Sequence, residues 1–163
     1  MNRFALPAAA AFAAVALSAC SHDSNGFPGG DPKRTVDSTD YSVTKTLTAT
    51  EYSVPNQLLF ATDSATVLPT GHKILAEIAD VAKRTGTAPI EVDGFTDTVG
   101  PKRYNKKLSV ARAESVAGEL TSNGVDAGRI KAQGFGETEL AVPTPDQTDE
   151  AKNRRVVVRI AAN

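Results

Sequence analysis

The 163-residue chain holds one cysteine, Cys20, so no intramolecular disulfide can form. Histidine is nearly as scarce: His22 lies in a polar stretch and His72 opens a helical pattern. Neither has the partners that nucleophilic catalysis or zinc ligation needs. No glycine-rich phosphate loop carrying a lysine occurs. Glu91 and Asp97 make no convincing acid pair, because residues flanking a turn need not face each other. These gaps argue against an enzyme, a metal and a cofactor. There is no basic block and the formal net charge is −1, which argues against nucleic acid as a partner. One apolar run stands out, residues 4–17, and it is too short and alanine-rich for a permanent membrane span.

That run follows Arg3 and ends in small residues, the layout of a secretory signal peptide over residues 1–19. It closes on Leu17-Ser18-Ala19-Cys20, which resembles the lipobox of bacterial lipoproteins. The resemblance implies cleavage before Cys20 and its acylation with palmitate-type chains. Several chains anchor stably where one gives only marginal membrane binding. Ser21 resembles the outer-membrane default of such lipoproteins, where an aspartate would tend to mean inner-membrane retention. Residues 21–40 are rich in Gly, Pro, Ser and Asp and read as a flexible tether. Fully stretched it reaches roughly 65 Å, and as a coil it averages about 25 Å. Residues 41–54 are Thr-rich and partly alternating, an extra strand or an extended lead-in. The expected organisation is therefore signal peptide 1–19, lipidated cysteine and tether 20–54, and a globular domain 55–163.

Within that domain, Leu58, Leu59 and Phe60 suggest a short strand. Ile74, Leu75, Ile78, Val81 and Ala82 form one helical face, with Thr70 placed to cap its start and Gly86 to end it. Residues 89–93 alternate as a half-buried strand. Residues 102–123 read as a second helix with Leu108, Ala111, Val116 and Leu120 inward, closed by Gly124. Residues 130–134 and 155–160 read as strands, and 137–152 as a loop with a helical turn near 149–152. The order β-α-β-α-β-β predicts an α+β two-layer sandwich, two helices packed on one face of a mixed sheet. Its strands lack the paired aromatics of an RNA-binding sheet.

Gly94-Phe95-Thr96-Asp97, Gly100, Tyr104-Asn105, Leu108-Ser109 and Arg112-Ala113 together resemble the signature of the OmpA-like peptidoglycan-binding domain family. Residues 60–71, Gly134-Phe135-Gly136-Glu137 and Asn153-Arg154-Arg155-Val156 agree with it, so the likeness spans roughly residues 55 to 162. With the lipobox, the chain resembles the peptidoglycan-associated lipoprotein group. Phe95 departs from the His or Tyr common at that position, and the loop before Asn153 is divergent.

The resemblance implies binding of the peptidoglycan stem peptide at the free amino-acid end of diaminopimelate. That end is a zwitterion and needs an anion and a cation a few ångströms apart. Asp97 would receive the ammonium and Arg112 would clasp the carboxylate with its planar fork. Gly94 and Gly100 would let the loop turn tightly. Asn105, Leu108 and Arg112, three and four apart, share a helix side. Thr96 and Asn105 would give hydrogen-bonding support, and Leu108 would fill beneath the site.

Taken without the rest of the motif, Asp97 reads as a turn former, Arg112 as the structural partner of Asp97 or Glu91, and Asn105 as a loop fastener. Ser109 reads as a packing or surface residue, Phe95 and Phe135 as packing residues, and Arg154 and Arg155 as structural features. The expected protein is an outer-membrane lipoprotein with its domain in the periplasm, tethering the cell envelope to the wall. The alternative is a periplasmic interaction adaptor in a trans-envelope or secretion complex, touching protein partners through residues 41–54 and 137–152.

Overall fold

The computed structural model describes residues 41–162 and the backbone of a short strand at Lys33–Arg34. The expected signal peptide, Cys20 and the rest of the tether lie outside the described residues. In chain order the elements are β1 (Lys33–Arg34), β2 (Ser42–Lys45), β3 (Ala49–Pro55), α1 (Asn56–Leu59), α2 (Pro69–Arg84), β4 (Ile90–Phe95), α3 (Lys102–Ser122), a 3-10 turn (Ala127–Arg129), β5 (Ile130–Gly136) and β6 (Arg155–Ala161). Among the described residues the strands form one six-stranded sheet, ordered β1-β2-β3-β6-β4-β5. All neighbours pair antiparallel except β4 and β5, which run parallel. A parallel pair needs a long crossover, and α3 supplies it. The result is the expected α+β arrangement of helices on a mixed sheet.

Alternation along each strand sorts the residues by face. Tyr52 and Val54, Ile90 and Val92, and Val156, Val158 and Ile160 enter one core with Leu75, Ile78, Ala79 and Ala82 of α2 and Ala113, Val116 and Leu120 of α3. Each fully buried aliphatic side chain here contributes about 1.5–3 kcal/mol relative to exposure. The opposite strand positions carry charge. Arg159 Nη2 reaches Glu51 at 3.0 Å and its Nη1 reaches Glu91 at 2.9 Å across three adjacent strands. These half-exposed pairs contribute little to stability, about 0–1 kcal/mol each.

Several local expectations need correction. Of the two alternatives for the Thr-rich residues 41–54 the extra strand is the one found, twice over: they supply β2 and most of β3, and β3 pairs with β6 along its whole length, so the sheet begins before the expected domain start at residue 55. Leu58 and Leu59 sit at the end of α1, a helical turn, and Phe60 makes only an isolated bridge to Val67. A four-residue apolar run fits either period, and Asn56 N donating to Arg154 O starts the turn instead. Thr70 does not cap α2. The helix begins at Pro69 after Leu68, and Thr70 Oγ1 donates to Leu58 O at 2.8 Å. Gly86 does follow the helix end, with φ +58°. Residues 150–154 form hydrogen-bonded turns, Asn153 N to Glu150 O and Arg154 N to Ala151 O.

The buried side of α3 is turned from the expected one. Asn105, Ser109, Arg112, Ala113, Val116 and Leu120 are buried, while Leu108 and Ala111 are half-buried. Gly94 explains why. A Cβ there would lie 2.3 Å from Ser109 O, and one on Gly134 would lie 2.2 Å from Val110 N. Both glycines let the α3 backbone rest directly on β4 and β5, so Gly94 serves helix packing rather than loop turning. Ser109 is sealed in this contact; its hydroxyl donates to Lys106 O and accepts from Gly136 N.

Candidate functional site

The register brings three chain segments to one end of the sheet. Pro55 pairs with Arg155 and Gly94 with Val156, so β3 and β4 finish where β6 begins. β4, which ends at Phe95, therefore delivers Thr96 and Asp97 just beyond its carboxyl end. A cleft of about 810 Å³ opens there. Thr96, Asp97, Asn105, Leu108 and Arg112, the five binding residues expected from the sequence, all line it. Tyr104 and Val99 lie at the same cleft and are the more exposed large side chains of its wall.

Asp97 is only 6% exposed. Its Oδ1 accepts from Val99 N at 3.2 Å, the bond of a local turn, and its Oδ2 accepts from Arg154 Nη1 at 2.6 Å. Arg154 also bonds Asp149, whose side chain is mostly exposed. Burial works against the charge of Arg154, but the hydrogen bonds it donates to Asp149 and Asp97 outweigh that and raise its pKa. The expected structural partner of Asp97 was Arg112, yet the ion pair forms with Arg154, 57 positions further along the chain.

Arg112 is equally buried, at 6% exposure. Its Nε donates to Ser64 O at 2.9 Å, and its guanidinium lies over the Phe60 ring at 5.4 Å. Among the described residues no carboxylate lies within ion-pair distance of it, Glu91 included, which faces Arg159 on the far side of the sheet. Burial pulls its pKa below the ordinary arginine value, opposed chiefly by the more distant charge of Asp63. Arg112 is thus a desolvated cation that lines the cleft with no carboxylate at ion-pair distance among the described residues.

The remaining residues divide between ligand wall and loop support. Thr96 Oγ1 donates to Asp97 O at 2.9 Å, and Thr96 N donates to Gly136 O. Asn105 Nδ2 is directed at Val99 O (3.0 Å), Glu137 Oε2 (2.9 Å) and Asp97 O (3.4 Å), which ties α3 to the acid-bearing loop. Gly100 has φ +89°, the left-handed turn expected of it. Phe95 points away from the cleft: it stacks on Phe135 at 5.3 Å and lies under the Arg155 guanidinium at 3.9 Å. Sequence reasoning assigned Arg154 a structural part and passed over Asp149, Asn56 and Phe60 as cleft residues. The Asn153-Arg154-Arg155 run was the one signal available for Arg154, and only the register of β6 shows which arginine faces the acid.

A mixed α+β sheet with a buried acid and a buried base in one cleft at its end defines a small recognition domain. The chain belongs to the OmpA family, whose model matches residues 59–154, more than half of its length. It is 33% identical to the peptidoglycan-associated lipoprotein of Haemophilus influenzae over 97% of this chain and 99% of that one. It is 36% identical to the probable lipoprotein YiaD of Escherichia coli over 76% of this chain, and spans about half, 56%, of that relative. Of an outer membrane protein of Gluconacetobacter diazotrophicus, 38% identical in the matched part, it spans 28%. Among solved structures, the cell wall anchor of the type VI secretion system from Pseudomonas aeruginosa superposes with a TM-score of 0.67 at 30% identity, covering 77% of this chain and 90% of that one. The peptidoglycan-associated lipoprotein from Burkholderia pseudomallei gives 0.56 at 28% identity, covering 63% and 87%.

Proposed function

We propose that this chain binds peptidoglycan non-covalently, gripping the zwitterionic end of diaminopimelate in the stem peptide, and that acylated Cys20 anchors it to the outer membrane so that it tethers that membrane to the wall from the periplasmic side. The carrying observation is Arg112, a buried guanidinium that lines the same cleft as Asp97 and lacks a carboxylate partner among the described residues. A ligand carboxylate would complete its fork, while Asp97 would take the neighbouring ammonium. Two relatives, from H. influenzae and B. pseudomallei, are named for peptidoglycan association, and the P. aeruginosa neighbour is described as a cell wall anchor. No step of this function needs a cofactor, a metal or a reaction.

Removing one member of a desolvated charge pair typically costs about 2–5 kcal/mol of binding. Asp97→Ala and Arg112→Ala are therefore expected to remain folded and to lose nearly all retention on isolated sacculi. Undiminished retention of both variants would end the site assignment. The adaptor reading, in which residues 41–54 and 137–152 dock a periplasmic protein, finds less support, because the first stretch is paired within the sheet and part of the second is engaged with the 96–100 loop.

A further inference from the structure

The loop between β5 and β6 holds the acid-bearing loop through a set of hydrogen bonds made by Pro145, Gln147 and Thr148, none of which lines the cleft. Thr98, itself buried, donates its hydroxyl to Pro145 O at 2.7 Å and accepts from Thr148 N at 3.0 Å. Gln147 N donates to Thr98 O at 3.0 Å. The Gln147 carboxamide then closes on Gly100 from both sides, its Oε1 accepting from Gly100 N at 3.0 Å and its Nε2 donating to Gly100 O at 3.3 Å. Gln147 does this from a left-handed backbone, φ +56°, a conformation that non-glycine residues adopt only when their surroundings over-determine it.

Gly100 needs such a partner. With φ +89° and no side chain to pack, it is the residue of the 96–100 loop with the most conformations to lose. Asn105 grips the middle of the loop at Val99 O. Asp97 lies three residues upstream of Gly100, its carboxylate held by Val99 N on the loop side and by Arg154 on the other. Motion at Gly100 is thus passed to the atoms that aim the acid. A ligand meeting two fixed charges would have to order a loose loop as it bound, and that ordering lowers affinity.

We propose that Gln147 is a positioning residue for the binding cleft: its carboxamide fixes Gly100, and so holds Asp97 in register with Arg112 for a zwitterionic amino-acid ligand, without touching that ligand. This rests on reading the cleft as the diaminopimelate site. It assigns the divergent loop before β6 a part in setting affinity, so that chains with one cleft can differ in grip through a residue outside it.

The test uses the full chain, free meso-diaminopimelate as probe, and two variants. Gln147→Ala removes both bonds to Gly100, and Gln147→Asn keeps a residue that tolerates positive φ but shortens the reach by one methylene. Both are expected to bind about tenfold more weakly, the equivalent of one or two lost hydrogen bonds. Gln147→Asn is expected to keep wild-type thermal stability, and the Gly100 amide is expected to exchange faster in both variants while β4 and β6 amides do not. Wild-type affinity in both variants overturns the inference and leaves the function standing. So does an affinity loss that tracks a fall in melting temperature without faster exchange at Gly100. A wild-type chain that does not bind diaminopimelate overturns the proposed function and the inference together.

Discussion

Arg112 and Arg154 reach the same cleft in opposite electrostatic states, and each state predicts a different response to substitution. Arg154 is neutralised by two carboxylates, Asp97 and Asp149, whereas Arg112 has a carbonyl and an aromatic face. Arg154→Ala strands a buried Asp97 charge. The cost is expected to be about 1–2 kcal/mol of folding stability, below the 3–5 of a fully buried pair because Arg154 keeps part of its side chain in water. Urea unfolding reads this directly, and an unchanged midpoint would mean that the pair contributes nothing to the fold. Arg112→Lys tests the fork. A lysine keeps the charge but offers no planar pair of donors, so the fold should survive and sacculus binding should drop by about tenfold or more. On the other face, Asp93 is buried with one carboxylate oxygen unpartnered, and burial raises its pKa; Glu91 and Glu139 add to the rise, against Arg159 and Lys131. The sign follows from linkage. A carboxyl whose folded pKa lies above its unfolded value binds its proton more tightly in the fold, so stability is highest while it is protonated and falls as pH rises through that interval. Asp93→Asn should therefore be more stable than the parent at pH 7, with the gain disappearing below about pH 4, the unfolded value. Chemical denaturation at both pH values checks it; a gain that persists in acid would place its origin elsewhere.

The seating of α3 on β4 and β5 fixes where Asn105 and Arg112 point, and it depends on two hydrogen atoms where side chains would be. Gly94→Ala would drive a Cβ to 2.3 Å from Ser109 O, a backbone atom that cannot swing aside. Overpacking of this kind costs about 1–3 kcal/mol or more, and lifting the helix should also weaken ligand binding. Thermal unfolding and sacculus retention should fall together; a variant as stable and as retentive as the parent would show that α3 slides freely on the sheet. This contact also marks the limit of what was legible in the sequence. The spans of α2 and α3, the strands at 90, 130 and 155, and the terminating glycines followed from apolar period and turn chemistry. The inward face of α3 did not, because Asn105, Ser109 and Arg112 are polar residues buried where the helix closes on the sheet and the cleft, and an apolar pattern cannot register them. β3 was legible only as one of two alternatives for the Thr-rich stretch: Ala49, Glu51 and Ser53 occupy its open face, and Thr50 shares the core face with Tyr52 and Val54, so the apolar alternation is short. The cleft's acid and base were legible because a short motif carries both. Arg154 and Gln147 were not, since their roles arise from pairing with residues about fifty positions away.

At the scale of the molecule, ligand binding and folding share one equilibrium. A ligand that binds only the folded chain stabilises it by about 2.7 kcal/mol at one hundred times its dissociation constant, which for a chain of this size is roughly 5–10 °C in melting temperature. A stem peptide carrying diaminopimelate should produce such a shift. The matched peptide carrying lysine at that position should produce almost none, because it presents an ammonium to Asp97 but no second carboxylate to Arg112. Asp97→Ala and Arg112→Ala should abolish the shift with either peptide. The anchor proposed at Cys20 is separable from this chemistry. Cys20→Ser removes the proposed acylation site, so the protein should leave the membrane fraction while its retention on purified sacculi stays unchanged. Tethering needs both ends at once, since a grip on the wall restrains the membrane only through a covalent path from the cleft to the lipid. Cells carrying Cys20→Ser should thus share the envelope defect of Arg112→Ala cells, although one protein still binds wall and the other still binds membrane. Equal envelope integrity in wild-type, Cys20→Ser and Arg112→Ala cells would show that the two attachments, however real singly, are not used together.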